Sequence, residues 1–431
     1  MTSHRDFLED LFRTAIAAAH PSRCLPQLLP DAPQSGKLIL LAAGKAAGSM
    51  AEVAEAHYLD RGFAQDRLTG IAVARHGYGR PLRQVEMVEA GHPVPDQAGL
   101  DATARTLALA DGATKDDLVL VLMSGGASAN WIAPAQGLSL EVKQAVTRAL
   151  LRSGASIGEI NTVRKHLSRI KGGRLARHAF PATLLTIGIS DVPGDDPAVI
   201  GSGPTVADPT TLADARAIVA RYRLDLPDAV SAALNDPANE SPKPGDAVFG
   251  DAQYRLAARP LDSFKAAEAQ IRAAGYDCIF LGDRIEGEAR EVAAAQAALA
   301  RELQAKGRRA VILSGGELTV TIRGSGRGGP NQEFALALAL ELDGASGIAA
   351  LAGDTDGTDG GAGSAADPAG AYVDAGSAGR ARALGLDAAQ CLADNNSTAF
   401  FAGIGGLISP GPTFTNVNDF RAIMVDNVDR S

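Results

Sequence analysis

Long apolar runs that end at glycine-rich turns dominate the first half of this chain. The clearest are KLILLAAG at 37–44, DLVLVLMS at 117–124 and ATLLTIGIS at 182–190. Residues 4–20, and the segment after the first run, have the apolar spacing of helices. Runs that are apolar at every position are typical of strands covered by helices on both faces of a sheet. The pattern therefore predicts an α/β fold with a mainly parallel sheet.

The second half has a different mixture of elements. Helices are predicted at 262–275, 286–306 and 331–341, and apolar strands at 277–281, 309–314 and 347–352. The segment ELTVTI at 317–322 alternates apolar and polar residues, which predicts a half-buried or antiparallel strand. Prolines crowd residues 225–260, and we interpret this stretch as a linker or crossing segment.

Two domains are expected, because 431 residues exceed what one compact core accommodates. The larger domain, residues 1–240, is predicted to be Rossmann-like with a parallel sheet. The smaller one, residues 241–431, is predicted to be mixed α/β. We expect the C-terminal tail, residues 407–431, to pack back on the first domain and complete it.

Composition and charge argue against several classes of protein. Aromatic residues make up only 4%, and the net charge is −9 from 41 basic and 50 acidic residues, so a nucleic-acid partner is not expected. The N-terminus lacks the apolar segment of a signal peptide, and no apolar run reaches the ~18–20 residues of a membrane span. Three isolated cysteines predict free thiols in a reducing compartment. We therefore expect a cytoplasmic protein that acts on small molecules, with a homo-oligomer left open.

Two segments of the second half carry residue types suited to phosphate chemistry. GSGRGGPNQE at 324–333 places Arg327 inside a glycine-rich loop that could surround an anion. DTDGTDG at 354–360 offers Asp354 and Asp356 to a hard cation such as Mg²⁺. The alternative for these aspartates is a solvated turn. The P-loop pattern GxxxxGK[ST] is absent from the sequence, so an ordinary P-loop fold is not expected.

The turns after the first two apolar runs are candidate anion sites. Lys45 follows the first run, at the edge of an open sheet where ligands bind, although a surface lysine at a helix start is the alternative. The second turn could cradle a phosphate with backbone N–H groups and hydroxyls, or could serve only close strand–helix packing. Its residues are Ser124, Gly125, Gly126, Ala127 and Ser128.

Two further segments contribute charged candidates. Asp191 directly follows the third apolar run and could act as a general base, and Asp195 in the same loop could hold Mg²⁺, although this composition also makes ordinary turns. The basic segment at 161–174 places Asn161 and Lys165 as candidate ligands of a carboxylate or phosphate. A solvated helix face is the usual explanation of such a run.

A dinucleotide-binding fingerprint is the competing interpretation of the glycine-rich loop. Gly324, Gly326 and Gly329 fit GxGxxG, and an acid follows at the expected distance. This match favours an NAD(P)H-dependent reductase. Arg327 stands inside the turn, however, where a pyrophosphate would need bare backbone. A non-catalytic sensor of sugar acids or nucleotides is a third hypothesis.

Several separated motifs resemble those of the type-2 glycerate kinases, which carry a C-terminal MOFRL domain. The matching segments are GKAA at 44–47, GHPVPD at 91–96, SGGAS at 124–128, SDVPGD at 190–195, GSGPT at 201–205, GRGGPNQE at 326–333, GDTDGTDG at 353–360 and Thr413 with NVND at 416–419. They span nearly the whole chain and occur in the order of the family.

The resemblance implies ATP-dependent phosphorylation of D-glycerate at its 2-hydroxyl, with Mg²⁺, in a cleft between the two domains. It also implies that Lys45 and Arg327 are essential, and it carries family motif positions over to Asp191 and Asp354. The remaining residues of the GRGGPNQE motif that we expect at the substrate or nucleotide are Gly326, Gly328, Asn331 and Glu333. Relatives also carry the name hydroxypyruvate reductase, so a reductase of that substrate is the alternative function.

Overall fold

The computed structural model describes residues 3–361 and 363–426. Contacts divide the chain into two compact units. We call Pro21–Ala257 the parallel-sheet unit, and Met1–His20 together with Ala258–Ser431 the mixed-sheet unit. The predicted domain boundary at residue 240 stays a prediction about domains, but the contact units change at 257 and assign the first 20 residues to the second unit.

The elements of the described residues are as follows. The helices are α1 (His4–Ala18), α2 (Pro21–Cys24), α3 (Ala47–Leu59), α4 (Gln97–Asp111), α5 (Ala127–Asn130), α6 (Leu140–Arg152), α7 (Ile157–His166), α8 (Arg174–Ala179), α9 (Leu212–Arg221), α10 (Asp228–Asn235), α11 (Pro260–Ala273), α12 (Ala289–Ala305), α13 (Pro330–Glu341), α14 (Ser377–Ala383), α15 (Ala388–Ala393) and α16 (Ser397–Ile404). The strands are β1 (Leu38–Ala43), β2 (Leu68–Arg75), β3 (Glu86–Ala90), β4 (Leu118–Met123), β5 (Thr183–Ile189), β6 (Ala252–Ala258), β7 (Asp277–Phe280), β8 (Gly287–Glu288), β9 (Ala310–Gly315), β10 (Leu318–Thr319), β11 (Ile348–Asp354), β12 (Gly370–Asp374), β13 (Leu407–Ile408) and β14 (Asp419–Val425).

The parallel-sheet unit has the strand order β3-β2-β1-β4-β5-β6. Strands β3, β2, β1, β4 and β5 pair in parallel. Every residue of β1 and β4 is buried, as their unbroken apolar sequences predicted. After β1 the chain builds outward on one side through β2 and β3, and then returns to β4 on the other side. The order therefore reverses between β1 and β4, as in Rossmann-like sheets.

The proline-rich stretch at 225–260 differs from the predicted linker. It contains α10 and the edge strand β6, and it packs on the parallel-sheet unit. Arg174 donates to the carbonyl oxygen of Asn239, and His166 Nε2 lies 3.1 Å from Glu240 Oε1. The clustered prolines indicated that this stretch has no long helix or strand. They could not reveal these long-range contacts, which hold the segment against its unit.

The mixed-sheet unit has the strand order β13-β12-β11-β14-β9-β7. Within the described residues, β7 and β9 pair in parallel and the other neighbouring strands of this sheet pair antiparallel, including β14 with both of its neighbours. Helices α12 and α13 contribute to the core on one face, and α1 and α11 to the core on the other. The first helix of the chain thus completes the unit that contains the last strand.

Two predictions about this unit are corrected by the strand pairing. The C-terminal tail does not complete the sheet of the parallel-sheet unit, because its strand β14 lies between β11 and β9. Residues 427–431 of the tail lie outside the described residues. Strands β10 and β8 pair in parallel over two residues, so ELTVTI is not an extended antiparallel strand. The predicted alternation of buried and exposed side chains is seen at Leu318, which is buried, and Thr319, which is exposed. Within the described residues, no helix combines the length and apolar character needed to cross a membrane.

Candidate functional site

The loops after β1 and β4 meet at the reversal point of the parallel sheet. The N–H of Lys45 donates to the carbonyl oxygen of Gly125 at 2.8 Å, and the N–H of Ala46 donates to Ser124 Oγ at 2.9 Å. Gly44 has a φ of +117°, and an added Cβ would lie 2.5 Å from the Ser124 carbonyl oxygen. Only glycine fits this crossing, which fixes the position of Lys45 directly after the buried strand.

The side chain of Lys45 is half-buried beside the second loop. Its Cγ lies 3.4 Å from the position of a Cβ on Gly126, and His92 Cδ2 lies 3.0 Å from the same position. Helix α3 begins two residues after Lys45 without a side-chain cap. The ammonium group and the N-terminal end of α3 therefore both favour an anion at this edge. His92 belongs to the GHPVPD motif, and no other sequence pattern indicates its place here.

The predicted phosphate cradle at 124–128 divides into two kinds of residue. Ser124 is fully buried and its hydroxyl holds the Lys45 loop, and Gly125 and Ala127 are also buried. Gly126 and Ser128 are half-buried. The first group positions the loop, while Gly126 and Ser128 are the members that reach a ligand-accessible surface.

Ser128 is surrounded by cationic donors from α7 and the segment after it. Arg164 Nη2 donates to Ser128 Oγ at 2.7 Å, and Lys171 Nζ donates to it at 3.0 Å. Lys171 also donates to the carbonyl oxygens of Ser128 and Trp131, at 2.7 and 3.1 Å. Ser202 Oγ lies 3.0 Å from the Ser128 hydroxyl. Only Asn161 and Lys165 were predicted as ligands from the segment at 161–174, so this role of Lys171 was missed.

The residues predicted from the basic segment have different roles in the structure. Lys165 is buried, and its Nζ lies 3.6 Å from Oδ1 of the fully buried Asp208. Asn161 Oδ1 accepts a hydrogen bond from Arg164 Nη1 at 3.2 Å. Lys165 therefore lies against a buried acid, whereas the half-buried Arg164 joins Asn161 to Ser128. Arg164 is therefore a stronger candidate than the two residues that sequence reasoning preferred.

The loop after β5 carries the acidic candidates of this unit. Asp191 is half-buried one residue beyond Ser190, and the pKa of the nearby Tyr254 phenol is raised by burial and then by the Asp191 charge. Asp195 has a φ of +57°, and its Oδ1 is buried without a hydrogen-bond partner in the described structure. An unsatisfied carboxylate oxygen fits a missing donor or cation, so the prediction for Asp195 stays open to test.

In the mixed-sheet unit, the glycine-rich loop before α13 is anchored to residues 394–396. The N–H groups of Arg323 and Gly324 donate to Asn395 Oδ1 at 2.7 and 3.0 Å. Further along, Ser325 donates to Asp394 Oδ1, Gly326 to the Asp394 carbonyl oxygen, and Arg327 to Asn396 Oδ1. These N–H groups are used within the protein, so this part of the loop is not a backbone cradle for phosphate. An added Cβ on Gly326 or Gly328 would overlap Asn396 or Ser397.

The side chain of Arg327 is presented by this anchored loop. It is exposed, and the described residues form no hydrogen bond or ion pair with its guanidinium. Its backbone is fixed on both sides, since its carbonyl oxygen also accepts from Thr398 N–H at 2.9 Å. A fixed loop with an uncommitted guanidinium is suited to binding an anionic ligand.

Residues 331–333 lie at the start of α13 and hold the end of the loop in place. Asp359 Oδ1 accepts the N–H of Asn331 at 3.0 Å, and Oδ2 accepts that of Gln332 at 2.8 Å. Asn331 Nδ2 also bridges to Asp419 Oδ1 at 2.7 Å, and Arg421 donates to Asp419. Burial, and then the Asp419 charge, raise the pKa of Asp359 to about 7, against the opposing effect of these hydrogen bonds. The network caps α13 and is buried.

Glu333 and Asn331 are held by neighbouring side chains, and their role as direct ligands stays a prediction. Glu333 Oε1 accepts from Arg290 Nε at 3.0 Å, and its Oε2 accepts from Asn395 Nδ2 at the same distance. Because Asn395 in turn binds the loop N–H groups, Glu333 holds the loop through a second residue. Both side chains are buried and act as supports for Arg327.

The aspartates after β11 mainly shape a turn. Asp354 Oδ1 accepts the N–H of Asp356 at 2.9 Å, and Asp356 Oδ1 accepts the N–H and hydroxyl of Thr358 at 2.7 and 3.0 Å. Asp356 is buried and Asp354 is half-buried. Residues 3–361 and 363–426 contain no group of three or more His, Cys, Asp or Glu side chains suited to a metal ion. The donors fit Mg²⁺ held by one carboxylate plus phosphates and water, and do not fit a protein cage.

Comparisons with known proteins agree with both units. A domain of unknown function (DUF4147) matches residues 7–235, and the MOFRL family matches residues 310–419. An Agrobacterium vitis protein named as a hydroxypyruvate reductase is 47% identical over 429 residues, covering 98% of this chain and 95% of its own. The D-glycerate 2-kinase of Thermotoga maritima is 37% identical over 415 residues, covering 95% of each chain.

A solved structure has the same fold. The crystal structure of glycerate kinase from Thermotoga maritima has a TM-score of 0.85 and 36% identity, and the match covers 98% of this chain and 99% of that one. The similarity includes the reversal-point sheet and the MOFRL segment. The chain therefore belongs to the type-2 glycerate kinase family, a family of kinases with a MOFRL domain in which the name hydroxypyruvate reductase also occurs.

Proposed function

We propose that this protein transfers the γ-phosphoryl group of ATP to the 2-hydroxyl of D-glycerate, giving 2-phospho-D-glycerate and ADP. The observation that supports this most is the position of Lys45 at the reversal point of the parallel sheet, beside the uncapped start of α3. Rossmann-like sheets bind their ligands at this point. The relatives named D-glycerate 2-kinase and glycerate kinase give the substrate class.

In the proposed reaction, the 2-hydroxyl oxygen attacks the γ-phosphorus as the bond to the β,γ-bridging oxygen breaks. Asp191, half-buried after β5, accepts the proton of that hydroxyl. Lys45 neutralises charge on the transferring group. ADP leaves with the electron pair of the broken bond.

Arg327 is proposed to bind the phosphate oxygens through its uncommitted guanidinium. A magnesium ion would be held by Asp354 and would supply charge neutralisation on the nucleotide. Asp195 is retained as a separate candidate ligand of Mg²⁺, because its Oδ1 is buried without a hydrogen-bond partner in the described residues. The prediction that the two domains share one active site stays a prediction.

A ³¹P NMR time course with ATP, Mg²⁺ and D-glycerate tests the proposal. We expect the resonances of 2-phosphoglycerate and ADP to grow together, and a 3-phosphoglycerate resonance would contradict the regiochemistry. Persistence of ATP with no new phosphomonoester would rule out the kinase reaction on this substrate. A sample without D-glycerate measures background hydrolysis of ATP.

Reduction of hydroxypyruvate is the second candidate, because relatives at 47% and 44% identity carry that name. The geometry of the GxGxxG loop argues against it. The N–H groups of residues 323–327 are already used by residues 394–396, so a pyrophosphate would find no free backbone donors there. Oxidation of NADH or NADPH on addition of hydroxypyruvate, followed at 340 nm in the same preparation, would support the reductase.

A further inference from the structure

The parallel-sheet unit contains a cluster of cations with no acidic partner. It consists of Lys143, Arg164 and Lys171, and within the described residues none of the three forms an ion pair with Asp or Glu. Lys143 and Lys171 are buried, and Lys143 donates to the carbonyl oxygens of Arg164 and Leu167. Buried cations are normally paired. An uncompensated group of this kind indicates a place for an anionic ligand.

The charges in this cluster act on one another. Burial, and then the charges of Arg164 and Lys143, lower the pKa of Lys171 well below its ordinary value. Burial also lowers the pKa of Arg164, whose Nε is buried without a hydrogen-bond partner. An anion beside these groups would stabilise their protonated forms, which is the linkage expected of an anion site.

Arg164 and Lys171 both donate hydrogen bonds to the Ser128 hydroxyl. Arg164 has only donors, as has a protonated Lys171, and a hydroxyl oxygen accepts two hydrogen bonds. With both accepted, Ser128 must donate its own hydrogen, either to Ser202 Oγ or to a ligand oxygen. The cluster therefore presents a donating hydroxyl and a guanidinium to the same small region.

The Arg164 side of this cluster borders a cavity, which Ser128 itself does not line. Arg164 and Ala129, the residue after Ser128, line a cavity of about 290 Å³. On the other side of the same loop, Lys45 Cγ lies 3.4 Å from the Cβ position of Gly126, two residues before Ser128.

We propose that Ser128 and Arg164 bind the carboxylate of the 2-hydroxy acid substrate, and that Lys171 is a positioning residue that orients the Ser128 hydroxyl. This assignment rests on the proposed function, which supplies the hydroxy acid. A planar carboxylate matches the fork of a guanidinium.

Calorimetric binding of D-glycerate without nucleotide tests the assignment independently of turnover. We expect Ser128→Ala and Arg164→Met each to weaken the Kd for D-glycerate by about 10–100-fold, the loss of a charge-assisted hydrogen bond. The affinity for ATP should stay within about twofold. The preference for D-glycerate over glycerol, which lacks the carboxylate, should fall by a similar factor.

Arg152→Met is the control, because Arg152 is exposed at the end of α6 and does not line this cavity. It should bind D-glycerate as the wild type does. Lys171→Met should weaken D-glycerate binding as much as Ser128→Ala does. The double variant Ser128→Ala/Lys171→Met should bind D-glycerate no more weakly than either single variant. Additive losses would exclude action through Ser128. Ser128→Ala and Arg164→Met carry the test if Lys171→Met does not fold, as checked by circular dichroism.

The other outcomes separate the two proposals. Weakened ATP binding with unchanged D-glycerate binding would overturn the carboxylate assignment and place a nucleotide phosphate at Ser128. Normal glycerate kinase turnover with unaltered binding in the variants would overturn the assignment alone. D-glycerate binding that follows the expected pattern without formation of 2-phosphoglycerate would overturn the kinase function and keep the site. A wild type that neither binds nor phosphorylates D-glycerate contradicts both.

Discussion

Contacts with neighbouring residues fix the backbone position of Lys45. A lysine after a strand is common, but this one has its N–H bound to Gly125 and its loop held by the buried hydroxyl of Ser124. The crossing fixes the backbone while the side chain stays half-buried and near Gly126. A charged group on such a fixed turn can stabilise a transition state with little reorganisation.

Replacing Lys45 by methionine should lower kcat about 100-fold or more, because the apolar stem is kept and the charge is lost. Coupled ADP release measures the rate, and thermal unfolding should be unchanged. Lys115→Met, at an exposed position in another loop, is the control and should keep wild-type turnover. A kcat within threefold of wild type for Lys45→Met would remove this residue from the chemistry.

The Arg327 loop contains its own control. Arg323 and Arg327 are both exposed and both have N–H groups bound to residues 395 and 396. We expect Arg327→Met to reduce kcat/KM at least 100-fold, through loss of a guanidinium–phosphate contact, with Arg323→Met near wild type. Steady-state kinetics with ATP varied would show this. Equal losses in the two variants would indicate a general effect of loop charge.

Asp359 should give the protein a pH-dependent stability. An unfolded aspartate titrates near ~4, whereas Asp359 in the fold titrates at about 7. Between these values the unfolded state has lost the proton that the native state keeps, so the free energy of unfolding should fall as pH rises, by roughly 2–4 kcal/mol. Above pH 7 the contribution is flat.

Urea unfolding of the wild type and Asp359→Asn from pH 4 to 8 measures this slope. Asparagine cannot titrate, so the variant should lack the decline between pH 4 and 7, even though it is less stable overall. The variant loses carboxylate contacts to Asn331 and Gln332 at every pH. Parallel curves for the two proteins would assign the titration to another group.

Among the secondary-structure elements, the alignment of strand ends determines which loop residues come into contact. Strands β1 and β4 are aligned so that Ala43 pairs with Met123, and their following loops therefore start at the same level of the sheet. Sequence patterns located both strands to within a residue or two. Only the pairing, with β4 next to β1 and not next to β3, brings Lys45 to Gly126.

Gly44→Ala should destabilise the protein by about 2–4 kcal/mol, since the residue has positive φ and its added Cβ meets Ser124. Gly62 also has positive φ, +85°, but has no atom within 4 Å of an added Cβ. Gly62→Ala should therefore cost only about 1–2 kcal/mol of backbone strain. Chemical denaturation of the two variants compares these values, and equal losses would mean that the contact with Ser124 relaxes freely.

At the scale of the whole chain, the first helix and the last strand belong to one unit. Phe12 of α1 packs against Phe420 of β14 with ring centroids 5.9 Å apart, and Phe420 stacks on Phe264 at 5.6 Å. The segment between them in sequence includes the whole parallel-sheet unit. The mixed-sheet unit can therefore be completed only when both ends of the chain are available.

Phe12→Ala should destabilise the mixed-sheet unit by about 3–5 kcal/mol, because a fully packed aromatic ring is replaced by a cavity. Leu384→Ala in the same unit is the control, since Leu384 is 60% exposed, and it should cost less than about 1 kcal/mol. Equilibrium unfolding followed by circular dichroism gives both values. A small loss for Phe12→Ala would mean that α1 contributes little to this core.

The sequence by itself determined the α/β class, the main strands and helices, and the family. Local hydrophobic periodicity and the ordered motifs are properties of neighbouring residues. It also singled out Lys45, Arg327 and Asp354. Only long-range packing joins Ser128, Arg164 and Lys171 from separate segments, and engages Asn331 and Glu333 in buried contacts. Burial and hydrogen-bond partners depend on long-range packing, so no local pattern could specify them.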